Sequence, residues 1–226
     1  MVDSKITDLS ENTDPQDDDL LLIVDDPGGS PVDEKITLAN LAPSMLNSGM
    51  VYVQDNFNRT DSATVGDPQV GSAPTLRVSS TWGITSNQLA PKNSYAESGV
   101  CWGVPSIGYH MRCTIVVAGT DAGPVVRANP VSTASWIFLS TASTYTLYSS
   151  VGGYHVLGTG AHTSQNGDVV DLYVTPTYVG VYVNSVLELE SAGVLECITN
   201  NGVGFRANSN TTFRADDFSV VQWWPS

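Results

Sequence analysis

"DVVDLYVTPTYVGVYVNSVLELE", residues 168–190, decides the fold. Val170, Leu172 and Val174 alternate with Asp171 and Tyr173, and Val179, Val181 and Val183 repeat the pattern after a break containing Pro176. An apolar residue at every second position gives a strand one greasy face and one wet face, whereas a helix needs a period of 3.6. The same alternation recurs in "MRCTIVVAG", where Met111, Cys113, Ile115 and Val117 share a face. It recurs again in "GVGFRAN", where Val203, Phe205 and Ala207 face one way and Arg206 points outward. Gly, Asn, Ser and Pro break these runs at short spacing, and no amphipathic helix competes with them. About a dozen strands between residues 51 and 223 predict an all-β, two-sheet antiparallel sandwich.

Composition agrees. The chain has 226 residues, 41% hydrophobic and only 14% charged, which is room for one large β domain plus an appendage. There are 23 Asp and Glu against 9 Lys and Arg, a net charge of −14. Such a surface repels phosphate backbones and argues against a nucleic-acid partner. Residues 1–45 carry 11 of the acids and only 2 lysines, so the charge divides the chain near residue 46. No apolar run is long enough to span a bilayer, and Met1 to Lys5 do not begin a secretory leader. Cys101, Cys113 and Cys197 cannot all pair with one another and read as thiols of a chain made in a reducing cytosol. There is no C-x-x-C, and His110, His155 and His162 are not at ligand spacing, so no metal is assigned.

The leading segment differs from the rest. Lys5–Leu9 reads as a β-like piece, and Leu20, Leu21, Leu22, Ile23 and Val24 form an apolar strand fenced by aspartates. Pro27-Gly28-Gly29 reverses the chain, Lys35–Leu38 makes a third piece around Ile36 and Leu38, and Ala39–Leu46 has room for one helical turn. A segment this small does not bury its own apolar residues without a disulfide, a metal or a partner. It holds no cysteine, so residues 1–46 are read as an extended, β-rich arm that docks on another polypeptide, and residues 47–226 as the sandwich.

Several stretches of the larger region resemble the concanavalin A-like lectin/glucanase fold in its laminin G-like branch. These are "VQDNFNRTDSATVG" (53–66), "TWGITSNQLAPKN" (81–93), "GPVVRAN" (123–129), residues 168–190, and "NGVGFRANSNTTFRADDFSVVQW" (201–223). The resemblance covers about three-quarters of the chain, and it implies a jelly roll while leaving activity open. The first 45 residues separately resemble the N-terminal segment of many bacteriophage tail and fibre proteins, with its "K-I-T-D-L", "D-L-L-x-I-V-D" and "K-I-T-L-A-N-L" elements, here Lys5–Leu9, Asp19–Asp25 and Lys35–Leu41. This resemblance implies a virion protein, a head fibre, capsid decoration or tail-associated fibre, attached through the arm to other virion chains as a homotrimer. A purely architectural cement protein and a carbohydrate-binding accessory module of a polysaccharide-degrading enzyme are the alternatives.

Glucanases of the resembling fold use two glutamates on one strand, and only Glu188 and Glu190 in "VLELES" offer a comparable pair. On a regular strand they share a face, but Leu189 stands where that pattern has an acid, so no catalytic residue is assigned. No Gly-x-Ser-x-Gly elbow occurs. Sugar-binding modules stack pyranose rings on exposed aromatics. The candidates here are Trp102 with Tyr109, Tyr145, and Tyr154 with His155, as the contacts to a host-surface glycan. Trp82 and Trp136 sit in strand patterns and are expected in the core, while Trp223-Trp224-Pro225 is expected to pack on the arm or a neighbouring subunit. Arg127 and Arg206 are expected to anchor loops and not to contact a ligand. No cofactor is assigned; a calcium ion, if one bound, would use Asp55 and Asp216, whose alternative partners are turn amides and Arg59 or Arg214.

Overall fold

A computed structural model describes residues 20–25, 32–37, 50–77, 82–93, 98–105, 108–119, 121–129, 137–193, 197, 199–209 and 212–223. Its strands fall in two compact units, Met1–Ser48 and Gly49–Ser226. In the first, β1 (Leu20–Asp25) pairs antiparallel with β2 (Val32–Thr37) as a two-stranded ladder, in register from Leu20 opposite Thr37 to Asp25 opposite Val32. The apolar run Leu20–Val24 and Ile36 are thus in strands of one hairpin. Lys5–Leu9, Leu38 and the helical turn expected at 39–46 lie outside the described residues.

The second unit is a sandwich of two antiparallel sheets, as the period-two pattern requires. Its strands are β3 (Val51–Asp55), β4 (Thr75–Arg77), β5 (Trp82–Thr85), β6 (Gln88–Pro91), β7 (Ser98–Gly103), β8 (Tyr109–Val117), β9 (Ala122–Ala128) and β10 (Ile137–Thr141). They continue with β11 (Thr144–Ser149), β12 (His155–Thr163), β13 (Asp168–Thr175), β14 (Tyr178–Val183), β15 (Val186–Ala192), β16 (Gly202–Ala207) and β17 (Arg214–Gln222). One sheet has seven strands in the order β12-β11-β10-β9-β16-β7-β4. The other has eight: β15-β14-β13-β8-β17-β6-β5 form a continuous path, and β3 pairs with β17. The described residues contain no helix.

The core lies between the sheets, and alternation supplies it. Val170, Leu172 and Val174 of β13, Val179, Val181 and Val183 of β14, and Val203, Phe205 and Ala207 of β16 are all buried there. So are Met111, Cys113 and Ile115 of β8, whose Val117 is only half-buried. Aromatic rings from both sheets meet at the centre: Trp102 of β7 lies 4.8 Å from Phe218 of β17, and Phe205 of β16 lies 5.2 Å from the same ring. Trp82 is wholly buried, as expected, edge-on to Phe213 at 6.4 Å. Trp136 lies outside the described residues. Cys101 and Cys113 are buried and Cys197 half-buried. Burial pushes the Cys113 thiol far up, because a thiolate there would be stripped of water.

A bulge carries one polar side chain across the core. Between Gly202 and Gly204 of β16 the register with β9 slips by one residue, and Arg127 takes φ +47 there. Its guanidinium reaches the opposite sheet and donates to the carbonyls of Thr175 and Tyr178 (3.4 Å for the latter), tying the turn between β13 and β14. Arg127 thus anchors a loop, as its position in the sequence suggested.

Candidate functional site

Alternation leaves outward residues on both sheets, and on the seven-stranded sheet they are not simply wet. Phe138 of β10 stands directly opposite Tyr148 of β11, and their rings stack at 5.0 Å and 12°. Arg206 of β16 points outward, as expected, yet is only 1% exposed. Its guanidinium lies 4.1 Å above the Phe138 ring and 5.3 Å from the Tyr154 ring, and donates to Tyr154 Oη at 3.1 Å. Between β16 and β10, β9 places Gly123 opposite Arg206. A Cβ on Gly123, at φ +156, would fall 2.0 Å from the Leu139 carbonyl oxygen, so only glycine fits where these backbones close up.

Tyr154 follows the Val151-Gly152-Gly153 turn, with φ +69 and +133 at the two glycines, and is edge-on to Phe138 at 5.9 Å and 85°. It is 55% exposed. These groups, with Asp121 and Asn208, line an open hollow of about 230 Å³. Asn208 N–H donates to the Asp121 carbonyl at 3.0 Å, which holds the polar rim in place. An exposed phenol face beside a carboxylate, an amide and a guanidinium can stack one face of a sugar ring and bond its hydroxyls. The hollow is smaller than the roughly 300 Å³ of a drug-sized site, which suits a single ring.

Of the glycan-contact candidates named from the sequence, the structure brings only Tyr154 into the lining of this hollow; the exposed His155, the first residue of β12, follows it in the chain. Trp102, Tyr109 and Tyr145 are at most 1% exposed and offer no face to a ligand. Trp102 sits between Phe57 and Phe218 in the core. Tyr109 Oη accepts the Arg127 N–H at 2.9 Å, and burial pushes its phenol pKa up. Tyr145 Oη donates to Asp168 at 2.8 Å, and burial likewise raises its pKa. All three continue the inward parity of neighbours such as Val100, Met111 and Leu147, a signal that could have placed them. Phe138 and Tyr148 were missed, and Arg206 was read only as a loop anchor, because outward parity alone does not show that residues on adjacent strands will tile together.

Asp168 is a staple. It receives Tyr145 Oη, Gln165 N–H (2.8 Å), Asn184 Nδ2 (2.8 Å) and His162 Nε2 (3.1 Å). Burial raises its pKa, but these hydrogen bonds outweigh it and the net shift is downward. The two glutamates of β15 do not form a facing pair. A bulge sets Leu187 opposite Tyr182 and Leu189 opposite Val181, leaving Glu188 as the extra residue. Glu188 accepts the His162 N–H at 2.9 Å, whereas Glu190 accepts Tyr178 Oη at 3.1 Å.

Asp55 is wholly buried, accepts Phe57 N–H at 2.8 Å and takes Arg59 through both oxygens at 2.9 and 2.5 Å, the turn-amide and arginine partners anticipated for it. Asp216 accepts the N–H of Asp217 at 2.9 Å, and burial raises its pKa. Among the described residues no three His, Cys, Asp or Glu side chains come together as a metal cluster. Trp223 is half-buried and lies edge-on to Tyr173 at 4.9 Å within its own unit; Trp224 and Pro225 lie outside the described residues.

No protein-family model and no curated protein matches the sequence. Solved structures do. The chain is similar to domain 4 of an extracellular GH43 arabinanase from Geobacillus stearothermophilus, solved in complex with arabinotriose, at TM-score 0.50 and 14% identity over 77% of this chain and 93% of that one. A Bacillus subtilis protein of unknown function with a galectin-like fold matches at TM-score 0.50 and 14% identity, covering 66% and 89% of the two chains. A GH43 protein from Bacillus licheniformis matches at TM-score 0.50 and 13% identity, covering 75% of this chain and 38% of that one. The second unit therefore has a lectin-like, galectin-type β-sandwich fold.

Proposed function

We propose that this chain is a non-catalytic glycan-binding protein of a bacteriophage particle, attached to other virion proteins through residues 1–46 and presenting its sandwich to host-surface glycan. The observation that carries the binding reading is the Tyr154 face, open to solvent and held by Arg206 beside Asp121 and Asn208. The lectin-like fold supports it. The separate commitments of Glu188 and Glu190 support a binding role over hydrolysis. Virion attachment rests on the resemblance of residues 1–46 to phage fibre segments. A homotrimer would multiply weak affinity, since linked copies raise effective concentration without new contacts.

Glycan-array binding of the full-length protein tests the first part. Saturable binding that Tyr154→Ala weakens about tenfold upholds it, and an array with no hit, or a hit indifferent to Tyr154, refutes it. For the second part, phage carrying a deletion of residues 1–46 should lack the protein from purified particles; normal incorporation refutes attachment through that segment. A carbohydrate-binding accessory module of a polysaccharide-degrading enzyme is the second reading, favoured by the likeness to an arabinanase domain. Binding confined to soluble arabino-oligosaccharides, with no retention on host cells, would select it.

A further inference from the structure

The outer face of the eight-stranded sheet carries a second hollow, built differently. Outward residues of β13, β14 and the end of β17 bring Tyr173, Tyr178, Tyr182 and Trp223 around about 190 Å³ of open space. Tyr173 lies flat on His110, 4.3 Å away at 4°. Tyr182 and Trp223 stand steeply to Tyr173, at 75° and 66° with centroids 5.2 and 4.9 Å away, so the three ring planes enclose a corner. Tyr178 completes the lining by folding along its own strand. An added Cβ at Gly180 would fall 2.4 Å from Tyr178 Oη, so the phenol occupies the space that a side chain at 180 would take.

The charges around this corner are mostly negative. The exposed Glu190 accepts Tyr178 Oη at 3.1 Å. Asp171 holds both nearby basic groups, His110 at 2.6 Å and Arg112 at 3.6 Å. The phenols register this field. Tyr178 is pushed up to about 12, first by burial and then by Glu190, and Tyr173 is raised by burial and then by Asp171. The lining contains no amide and no guanidinium, so beyond the Trp223 indole N–H it offers sugar hydroxyls only phenol oxygens. Tyr173 gives one face to His110, and Tyr182 and Trp223, set steeply to it, help wall a hollow lined by aromatic rings; electron-rich ring surfaces around such a space favour a compact cation without hydrogen-bond donors of its own.

We propose that the Tyr173–Tyr178–Tyr182–Trp223 corner is a binding site for a quaternary ammonium group, of the kind carried by choline or a choline-substituted surface polymer. Residues 46–226 hold 12 acids and 7 bases, a net charge of −5, which favours the same class of ligand at longer range. This site stands on residues and chemistry separate from the glycan reading.

The test is calorimetric titration of the full-length protein with choline and with 3,3-dimethylbutan-1-ol, its uncharged carbon analogue. Choline should bind about tenfold tighter than the analogue and weaken as salt is raised. Tyr182→Ala and Trp223→Ala should abolish the signal, and Glu190→Gln should weaken it about threefold, while Tyr154→Ala leaves it unchanged. Should the large substitutions fail to fold, Gly180→Ala, which only displaces the Tyr178 ring, should still reduce choline affinity with an unaltered melting temperature. Equal affinity for the neutral analogue, displacement of choline by a neutral sugar, or no saturable choline signal would each overturn the proposal. Because Tyr154→Ala reads the first hollow and Trp223→Ala the second, either site can fail while the other stands.

Discussion

The two outer faces of the sandwich are both paved with aromatic side chains, but opposite charges sit among the rings. On the seven-stranded sheet, Phe138 and Tyr148 stack flat and a buried guanidinium lies over Phe138, leaving Tyr154 as an exposed face with polar neighbours. On the eight-stranded sheet the rings tilt steeply to one another, and carboxylates border them. A ring's face is electron-rich. Where a cation of the protein already occupies it, what remains suits a neutral, hydroxylated ligand; where carboxylates border the rings, it suits a cation from outside. Size does not separate the two hollows, at about 230 and 190 Å³. The charge seated among the rings does.

The sharpest way to break this contrast is Arg206→Ala. It takes the cation from Phe138 and the donor from Tyr154 Oη, and should cost about 2–3 kcal/mol of stability while abolishing glycan binding. Arg206→Lys should recover little, since an ammonium lacks the planar fork that spans both rings. Thermal unfolding and glycan titration read the outcome, and choline affinity should stay unchanged if the faces are independent. Tyr154→Ala comes next. Losing the exposed ring should lower glycan affinity about tenfold, with stability altered by no more than about 0.5 kcal/mol. Gly180→Ala sharpens the contrast from the other side. Its extra methyl competes with Tyr178 for space and should weaken choline binding about threefold, leaving the glycan titration untouched.

The mildest effect should be common to both faces. Asp168 bonds Tyr145 and His162 of the seven-stranded sheet and Asn184 beyond β13, so it staples the two sheets at one end. Its folded pKa lies below the ordinary carboxylate value of about 4, so its contribution is present above that pH and is lost as pH falls through the depressed folded value. The melting temperature should therefore decline on acidification below about pH 4, and Asp168→Asn should flatten that decline.

Inward parity was readable throughout. The valines of β13 and β14 and the alternation of β8 and β16 identify core positions before any coordinates, because a buried sheet face tolerates little else. The same parity would have placed Tyr109, Tyr145 and Trp102 inside, had they not been read as exposed aromatics on which a sugar ring could stack. What parity does not contain is how outward residues of neighbouring strands combine. Phe138 meets Arg206 across β9, and Tyr173 meets Trp223 from distant parts of the chain. Both encounters depend on strand order, which a local pattern leaves open. Bulges were equally hidden. Nothing in "GPVVRAN" or "VLELES" marks the extra residue that sends Arg127 across the core or parts Glu188 from Glu190.

That extra residue in β15 has an evolutionary consequence. Deleting Leu187 would restore the pleat, bringing Glu188 opposite Tyr182 while Glu190 stays opposite Gly180. Both acids would then project from one surface, about 7 Å apart at two strand residues' rise, within the span that glycosidase acid pairs occupy. A single codon lost or gained at this edge would therefore be enough to make or unmake the geometric precondition for cleaving a sugar polymer.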